Sequence, residues 1–297
     1  MQGTRLLIVL IFAQVLAMAG FANFAVLLPE FTALWMLTNT QAGWISGIFF
    51  VGYVLAVPVL VGLTDAVDAK RVYVIGAVFG VIASFGFAYF ADGFWTAMFF
   101  RLLAGISLAG TYMPGLQILN EQLNQRERQR VTPWYLGTVT LGTGFSFFMT
   151  GQLVEIFDWP MIFSIAGLLQ AICLVLVLSL IPSMPWSDRS ISLERHVFDF
   201  RPVLQNRKAL SFILGYVGHT YELFAFRAWV VAFLVFAAVV NTEPIGRAEI
   251  SNYVAAFSLF GMVTSIFGAR IAQRSDRKSA IRVFMGASFL VGSLLGL

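Results

Sequence analysis

The chain has little of what soluble proteins use to face water. Only 11% of its 297 residues are charged, whereas soluble chains average about 25%. One cysteine and two histidines exclude an internal disulfide, a cysteine-based zinc site and a poly-histidine metal centre. The sequence also has no Walker loop, no Gly-x-Ser-x-Gly and no His-Glu-x-x-His motif. These shortages exclude a cytosolic enzyme and a secreted disulfide scaffold, and we expect neither a cofactor nor a metal.

Apolar residues dominate instead. They make up 59% of the chain, and 30 phenylalanines stand against 15 acids. Such a chain cannot cover itself with polar surface, so lipid must be its solvent. A helix that crosses ~30 Å of hydrocarbon needs roughly 20 apolar residues. By that criterion the sequence predicts nine spans, at about 6–28, 44–63, 72–90, 96–118, 134–156, 161–181, 210–236, 250–269 and 280–297.

The distribution of basic residues predicts the orientation. If the N-terminus is cytoplasmic and the spans alternate, 16 of the 19 lysines and arginines lie in cytoplasmic segments. The outer loops then hold only Arg247, while Arg101 and Arg227 lie inside spans. We therefore expect a multi-pass protein of the bacterial inner membrane with its N-terminus in the cytoplasm.

This orientation has a direct test. Single cysteines at Asn39 and Asp92, in a Cys173→Ala background, are expected to react with a membrane-impermeant thiol reagent on intact cells. A cysteine at Ser187 is expected to react only after permeabilisation. Labelling of Ser187→Cys on intact cells would contradict the predicted topology.

The longest separator between spans divides the sequence into two parts. Residues 182–209 contain three prolines and several charges, which is typical of a linker. Residues 1–181 are predicted to form a six-helix bundle, and residues 210–297 the first three helices of a second bundle. This is an all-α membrane fold.

An internal repeat supports that division. The loop 63–71 after span 2, Leu-Thr-Asp-Ala-Val-Asp-Ala-Lys-Arg, aligns with the segment 271–278 after span 8, Ile-Ala-Gln-Arg-Ser-Asp-Arg-Lys. The offset is constant at 208 residues, as 63 pairs with 271 and 70 with 278. Internal repeats at corresponding positions in the span order are typical of secondary transporters.

These loops resemble the signature of the major facilitator superfamily, in which two six-helix bundles are joined by a cytoplasmic linker. Asp65, Lys70 and Arg71 match its acid and its terminal basic pair, and Arg101-Leu-Leu-Ala-Gly105 resembles its span 4 motif. The second loop has Gln273 in place of the acid. The resemblance implies a latch between the bundles at the cytoplasmic face; the alternative is a solvated turn that only sets topology. The latch residues would be Asp65, Asp68, Lys70, Arg71, Arg274, Asp276, Arg277 and Lys278.

Few ionisable or amide side chains lie inside the spans. Because each costs ~2.5–3.5 kcal/mol or more in lipid, each is a candidate functional residue. They are Arg101 in span 4, His219, Glu222 and Arg227 in span 7, Gln14 and Asn23 in span 1, and Gln170 in span 6. The resemblance implies that spans 1, 4 and 7 line a central cavity, where all but Gln170 would bind the solute or couple its movement. Gln170 is interpreted as a bridge between helices.

The chemistry of these residues leaves alternatives open. His219 and Glu222 are three residues apart and share a helix face, so they are the candidate proton carriers. Arg101 and Arg227 together outweigh Glu222 in charge, which favours a small organic anion as solute. The alternative is a purely structural role, in which Arg101 and Glu222 form an ion pair. A metal site at His219 and Glu222 would need further ligands, and the sequence offers no such set.

We therefore expect a secondary transporter that moves a small solute by alternating access, with protons as the candidate coupling ion. The alternatives are a membrane-embedded enzyme and a non-transporting scaffold, and neither has a supporting motif. We expect lipid as the surrounding medium and no nucleic-acid partner. Because the repeat stops after span 9, we also expect this chain to be a fragment that does not transport unless a second chain completes it.

Overall fold

The computed structural model describes residues 2–184, 201–242, 245–274 and 277–294. Thirteen helices and no strand occupy these ranges. The helices are α1 (Gln2–Ala17), α2 (Asn23–Val26), α3 (Leu28–Leu34), α4 (Asn39–Ala66), α5 (Ala69–Phe90), α6 (Phe94–Gln122), α7 (Gln125–Leu136), α8 (Thr138–Leu153), α9 (Trp159–Leu180), α10 (Arg201–Gln205), α11 (Arg207–Val240), α12 (Arg247–Arg274) and α13 (Arg277–Leu294).

Five of these helices are long and apolar enough to cross a membrane: α4, α5, α6, α9 and α11. Predicted spans 8 and 9 coincide with α12 and α13. Span 1 is divided among α1, α2 and α3, and span 5 is divided between α7 and α8. Helices suit this solvent because lipid offers no hydrogen bonds, so every backbone group must find its partner within the protein.

Polar side chains set several helix starts. Thr38 begins α4 with a capping box, in which its hydroxyl accepts from the Gln41 amide while the Gln41 side chain accepts from the Thr38 amide. Asn124 and Asp158 cap α7 and α9 in the same side-chain-to-backbone manner. These caps satisfy amides that have no partner inside the helix, so turns form between the spans.

Helices α1 to α9 pack into one bundle, which we call the first bundle. Its interior has two large apolar clusters, one around Tyr73 and Tyr135 and the other around Phe31 and Phe87. The side of the bundle with the loops 35–38, 91–93 and 154–158 is termed the outer side, following the predicted orientation. The Phe31 cluster lies toward this side.

The second group of helices, α11 to α13, contacts the first bundle unevenly. Helix α12 packs along α8, and a third apolar cluster joins Val26 and Phe147 of the first bundle to Val231 and Val254. In α11, every residue from 211 to 219 is exposed, whereas Val230 and Val231 are buried. The two groups therefore meet near the outer side and separate toward the linker side.

Candidate functional site

The first predicted span is interrupted in the middle of the bundle. Helix α1 ends at Ala17, residues 18–22 form turns, and α2 starts at Asn23. Interrupted helices are tolerated in a membrane only where other groups satisfy the freed backbone. They are also a feature of the solute sites of secondary transporters.

Side chains from two other helices satisfy the backbone at this interruption. The Ser146 hydroxyl of α8 donates to the Ala19 carbonyl (2.6 Å) and accepts from the Ala22 amide (2.9 Å). The Gln170 side chain of α9 donates to the Ala17 carbonyl (3.2 Å) and accepts from Ser84 of α5 (2.9 Å). Gln170 thus connects three spans, which confirms its interpretation as a bridge between helices.

The two amides predicted in span 1 have different surroundings. The Asn23 side-chain oxygen accepts a hydrogen bond from Thr150 of α8 (2.8 Å), but its amide nitrogen has no partner among the described residues. Gln14 is fully buried, and neither its nitrogen nor its oxygen has a partner there. Asn23 therefore contributes to packing at the interruption, while Gln14 keeps its full hydrogen-bonding capacity.

Arg101 of α6 is buried inside the first bundle, with 7% of its surface exposed. Its guanidinium carbon lies 4.7 Å from the ring centre of Phe49 and 5.7 Å from that of Phe24. Within the described residues it has no ion pair, and its Nε has no hydrogen-bond partner. The ion pair with Glu222 is not formed, because Arg101 is buried inside the first bundle whereas Glu222 is exposed on α11, where it accepts a short hydrogen bond from Ser288 of α13.

A narrow cavity lies beside Arg101. Its walls come from the interruption of span 1 and from α4, α5, α6 and α9. The polar groups on these walls are Arg101, Ser84, Ser107 and Gln170. The cavity lies within the first bundle, so Arg101 faces the bundle interior there and not a cleft shared with α11.

The candidate residues of α11 lie where the two groups of helices separate. His219 and Glu222 are exposed, and Arg227 is half-buried. The guanidinium of Arg227 lies 6.0 Å from the ring centre of Phe224, whose ring in turn packs against Phe50 of α4. No carboxylate pairs with Arg227 in the described part of the chain. Arg227 therefore lies at the junction between the groups, whereas Arg101 lies inside one of them.

Polar contacts join the two groups at the outer side. Arg247, at the start of α12, forms an ion pair with Glu30 of α3 at 3.2 Å. The Ala248 amide donates to Glu155 (3.3 Å), and the Gln152 side chain donates to Asn252 (2.9 Å). These pairs could not be predicted from the sequence, since the paired residues are between 93 and 217 positions apart.

The first predicted latch loop, residues 63–71, lies on the opposite side. Asp68 caps α5 through the Lys70 amide (3.0 Å) and also accepts from the Met184 amide (3.2 Å), so it holds the end of span 6 and the first linker residues. Lys70 donates to the Leu178 carbonyl (2.9 Å), and Arg71 is exposed. Asp276 and the side chains of Asp65, Arg274, Arg277 and Lys278 lie outside the described residues. The latch between the bundles therefore stays a prediction.

No group of three or more histidine, cysteine or acidic residues capable of holding a metal occurs among the described residues. Among the candidate residues, Gln14 and the Arg101 Nε are without a hydrogen-bond partner in the described part of the chain, and Arg227 is without a carboxylate there. Gln14 and Arg101 lie inside the first bundle, and Arg227 lies at the junction. Cations without a paired acid among the described residues, an interrupted helix and two groups of helices are features typical of membrane transporters.

This chain belongs to the major facilitator superfamily, whose sequence pattern matches residues 10–297. It is 22% identical over 294 residues to a niacin transporter of Acinetobacter baylyi, covering 88% of this chain and 65% of that protein. It is 25% identical over 292 residues to the methylenomycin A resistance protein of Bacillus subtilis, covering 87% of this chain and 60% of that protein. The chain thus spans less than two thirds of the length of either relative.

Solved structures agree on the fold. A bacterial homolog of the human lysosomal transporter Spinster, in an inward-facing and unoccupied conformation, matches with a TM-score of 0.70 at 15% identity, covering 93% of this chain and 64% of that one. A D-xylose–proton symporter matches with a TM-score of 0.63 at 12% identity, covering 93% and 70%. The expected all-α, multi-pass membrane fold of this family is confirmed.

Proposed function

We propose that this chain forms the solute site of a secondary transporter for a small organic anion, with Arg227 as the residue that contacts the anionic group. The observation that carries the proposal is the unpaired positive charge at the junction of the two groups of helices. Among the described residues Arg227 has no acidic partner, and Glu222, the one acid of α11, is bonded to Ser288. A half-buried guanidinium without a carboxylate is suited to receive one from a ligand.

The surroundings of Arg227 also suit alternating access. The helices meet at the outer side and separate along the inner half of α11, so a solute would reach Arg227 from the linker side. The exposed His219 and Glu222 line that approach on one helix face, and in this proposal they carry the coupled proton. The niacin transporter of Acinetobacter supports the anion assignment, because niacin is a small carboxylic acid.

The proposal predicts the behaviour of Arg227 variants. In a panel of small carboxylates beginning with nicotinate, at least one compound is expected to raise the melting temperature of the purified chain. Arg227→Ala is expected to abolish that binding because the charge is lost. Arg227→Lys is expected to restore it only in part, because an ammonium cannot form the two parallel hydrogen bonds of a guanidinium.

The matched control is Arg247→Ala. It removes an arginine from the outer ion pair and is expected to leave carboxylate binding unchanged, since that pair is about one third exposed and lies away from the junction. Tight binding of a cationic compound that is insensitive to Arg227→Ala would contradict the anion assignment.

A further inference from the structure

The geometry points to a second site, inside the first bundle, that binds a small inorganic anion of halide size at Arg101. This site is separate from the junction at Arg227 and does not depend on which solute binds there. Three observations carry it: the unpaired charge of Arg101, the cavity beside it, and the interruption of span 1 that forms one wall.

Arg101 carries a positive charge inside the bundle. A guanidinium removed from water without a carboxylate or a full set of hydrogen bonds is costly. The rings of Phe24 and Phe49 offset this only in part, because a cation–π contact contributes on the order of 0.5–2 kcal/mol. Within the described residues Arg101 has no acid to neutralise it. The charge therefore favours an anion from solution.

The carbonyl end of α1 lies at the same cavity, and its partial negative charge would by itself attract a cation. Its carbonyls are already engaged. Ala17 accepts from Gln170, Met18 accepts from the Phe21 amide, and Ala19 accepts from Ser146. The negative end of the helix is thereby screened, so the net potential in the cavity remains that of Arg101.

The size of the cavity and its hydrogen-bond donors limit which anion can bind. The cavity walls combine small residues, Gly80, Ala83 and Ala104, with the aromatic rings of Phe87, Phe100 and Phe163. The Ser107 hydroxyl also faces the cavity, and no hydrogen bond ties it to another described group. A guanidinium and a hydroxyl in a narrow apolar space suit a compact monovalent anion better than a solute with its own ring.

The test uses the full purified chain in detergent, with chloride added against gluconate at constant ionic strength. Gluconate is too large for the cavity and controls for general salt effects. Chloride is expected to raise the melting temperature by roughly 3 °C or more, saturating with concentration, because it binds only the folded state. Radiolabelled chloride is expected to bind in equilibrium dialysis with the same midpoint.

Two variants locate the site. Arg101→Gln is expected to lose both the shift and the binding. If that variant fails to fold, Ala104→Leu keeps the charge but fills the cavity, and it is expected to lose them as well. Arg227→Gln is expected to keep the chloride response while losing carboxylate binding, so the failure of one site is distinguishable from the failure of the other.

Three outcomes would overturn the inference. The first is a wild-type chain that responds equally to chloride and gluconate. The second is a chloride response that survives in folded Arg101→Gln or Ala104→Leu. The third is competitive displacement of chloride by nicotinate or another carboxylate that binds the chain, which would assign Arg101 to the solute.

Discussion

Replacing Gly105 by alanine is expected to destabilise the fold by about 2–3 kcal/mol, a loss of roughly 5–10 °C in melting temperature. A Cβ atom at Gly105 of α6 would overlap the carbonyl oxygen of Phe49 and lie 3.0 Å from the Tyr53 amide nitrogen, both in α4. These are backbone atoms, so they cannot move aside without separating the helices. The same interface repeats at Gly52, where a Cβ would overlap the Leu102 carbonyl.

The matched control lies in the same helix pair. Gly47 of α4 has no atom within 4 Å of an added Cβ. Gly47→Ala is expected to be neutral or to stabilise by up to about 1 kcal/mol, since alanine favours a helix more than glycine does. Equal melting temperatures for Gly105→Ala and Gly47→Ala would show that close backbone approach is not what holds α4 against α6.

Replacing Gly151 by leucine is expected to open the outer side. Gly151 of α8 faces Ser251 of α12 so closely that an added Cβ would overlap the Ser251 Cβ. A larger side chain there acts as a wedge between the two groups of helices. Overpacking costs about 1–3 kcal/mol, and if that cost falls on the closed state alone, the open population rises about 5- to 150-fold.

The measurement is the reaction rate of a cysteine at Val231, which is fully buried in the cluster that joins the two groups. In a Cys173→Ala background, Val231→Cys is expected to react slowly with an impermeant thiol reagent, and faster once Gly151→Leu is added. Gly47→Leu, placed where space is open, is the control and is expected to leave the rate unchanged. A rate that Gly151→Leu does not raise would show that the α8–α12 contact does not close this side.

The ion pair between Glu30 and Arg247 is expected to stabilise the outer contact less than the α8–α12 packing does. Both side chains are about one third exposed (34% and 37%), and exposed pairs typically contribute about 0–1 kcal/mol. The outer contact thus depends mainly on the small residues and apolar surface between α8 and α12, and the ion pair adds a weak contact between α3 and α12.

The sequence by itself determined the solvent and the element type. Apolar runs near 20 residues in a chain with 11% charge require lipid, and lipid requires helices because backbone groups must pair within the segment. Local chemistry also sets helix starts, as at Thr38 and Asp158, where the side chain caps an amide three positions away in the same segment. It also indicated the role of Gln170, since an amide away from the other polar spans has little use but to bridge helices.

The tertiary structure alone decided the interruption of span 1 and the surroundings of Arg101. Residues 18–22 are apolar apart from Gly20 and continue the pattern of a helix, so no local signal ends it. The interruption depends on Ser146 and Gln170, more than a hundred residues away, whose side chains replace the lost helical hydrogen bonds. The surroundings of Arg101 likewise follow from which helices pack around it. Hydrophobic pattern fixes which residues face lipid, but only packing across the bundle fixes which polar groups meet and which are left without a partner.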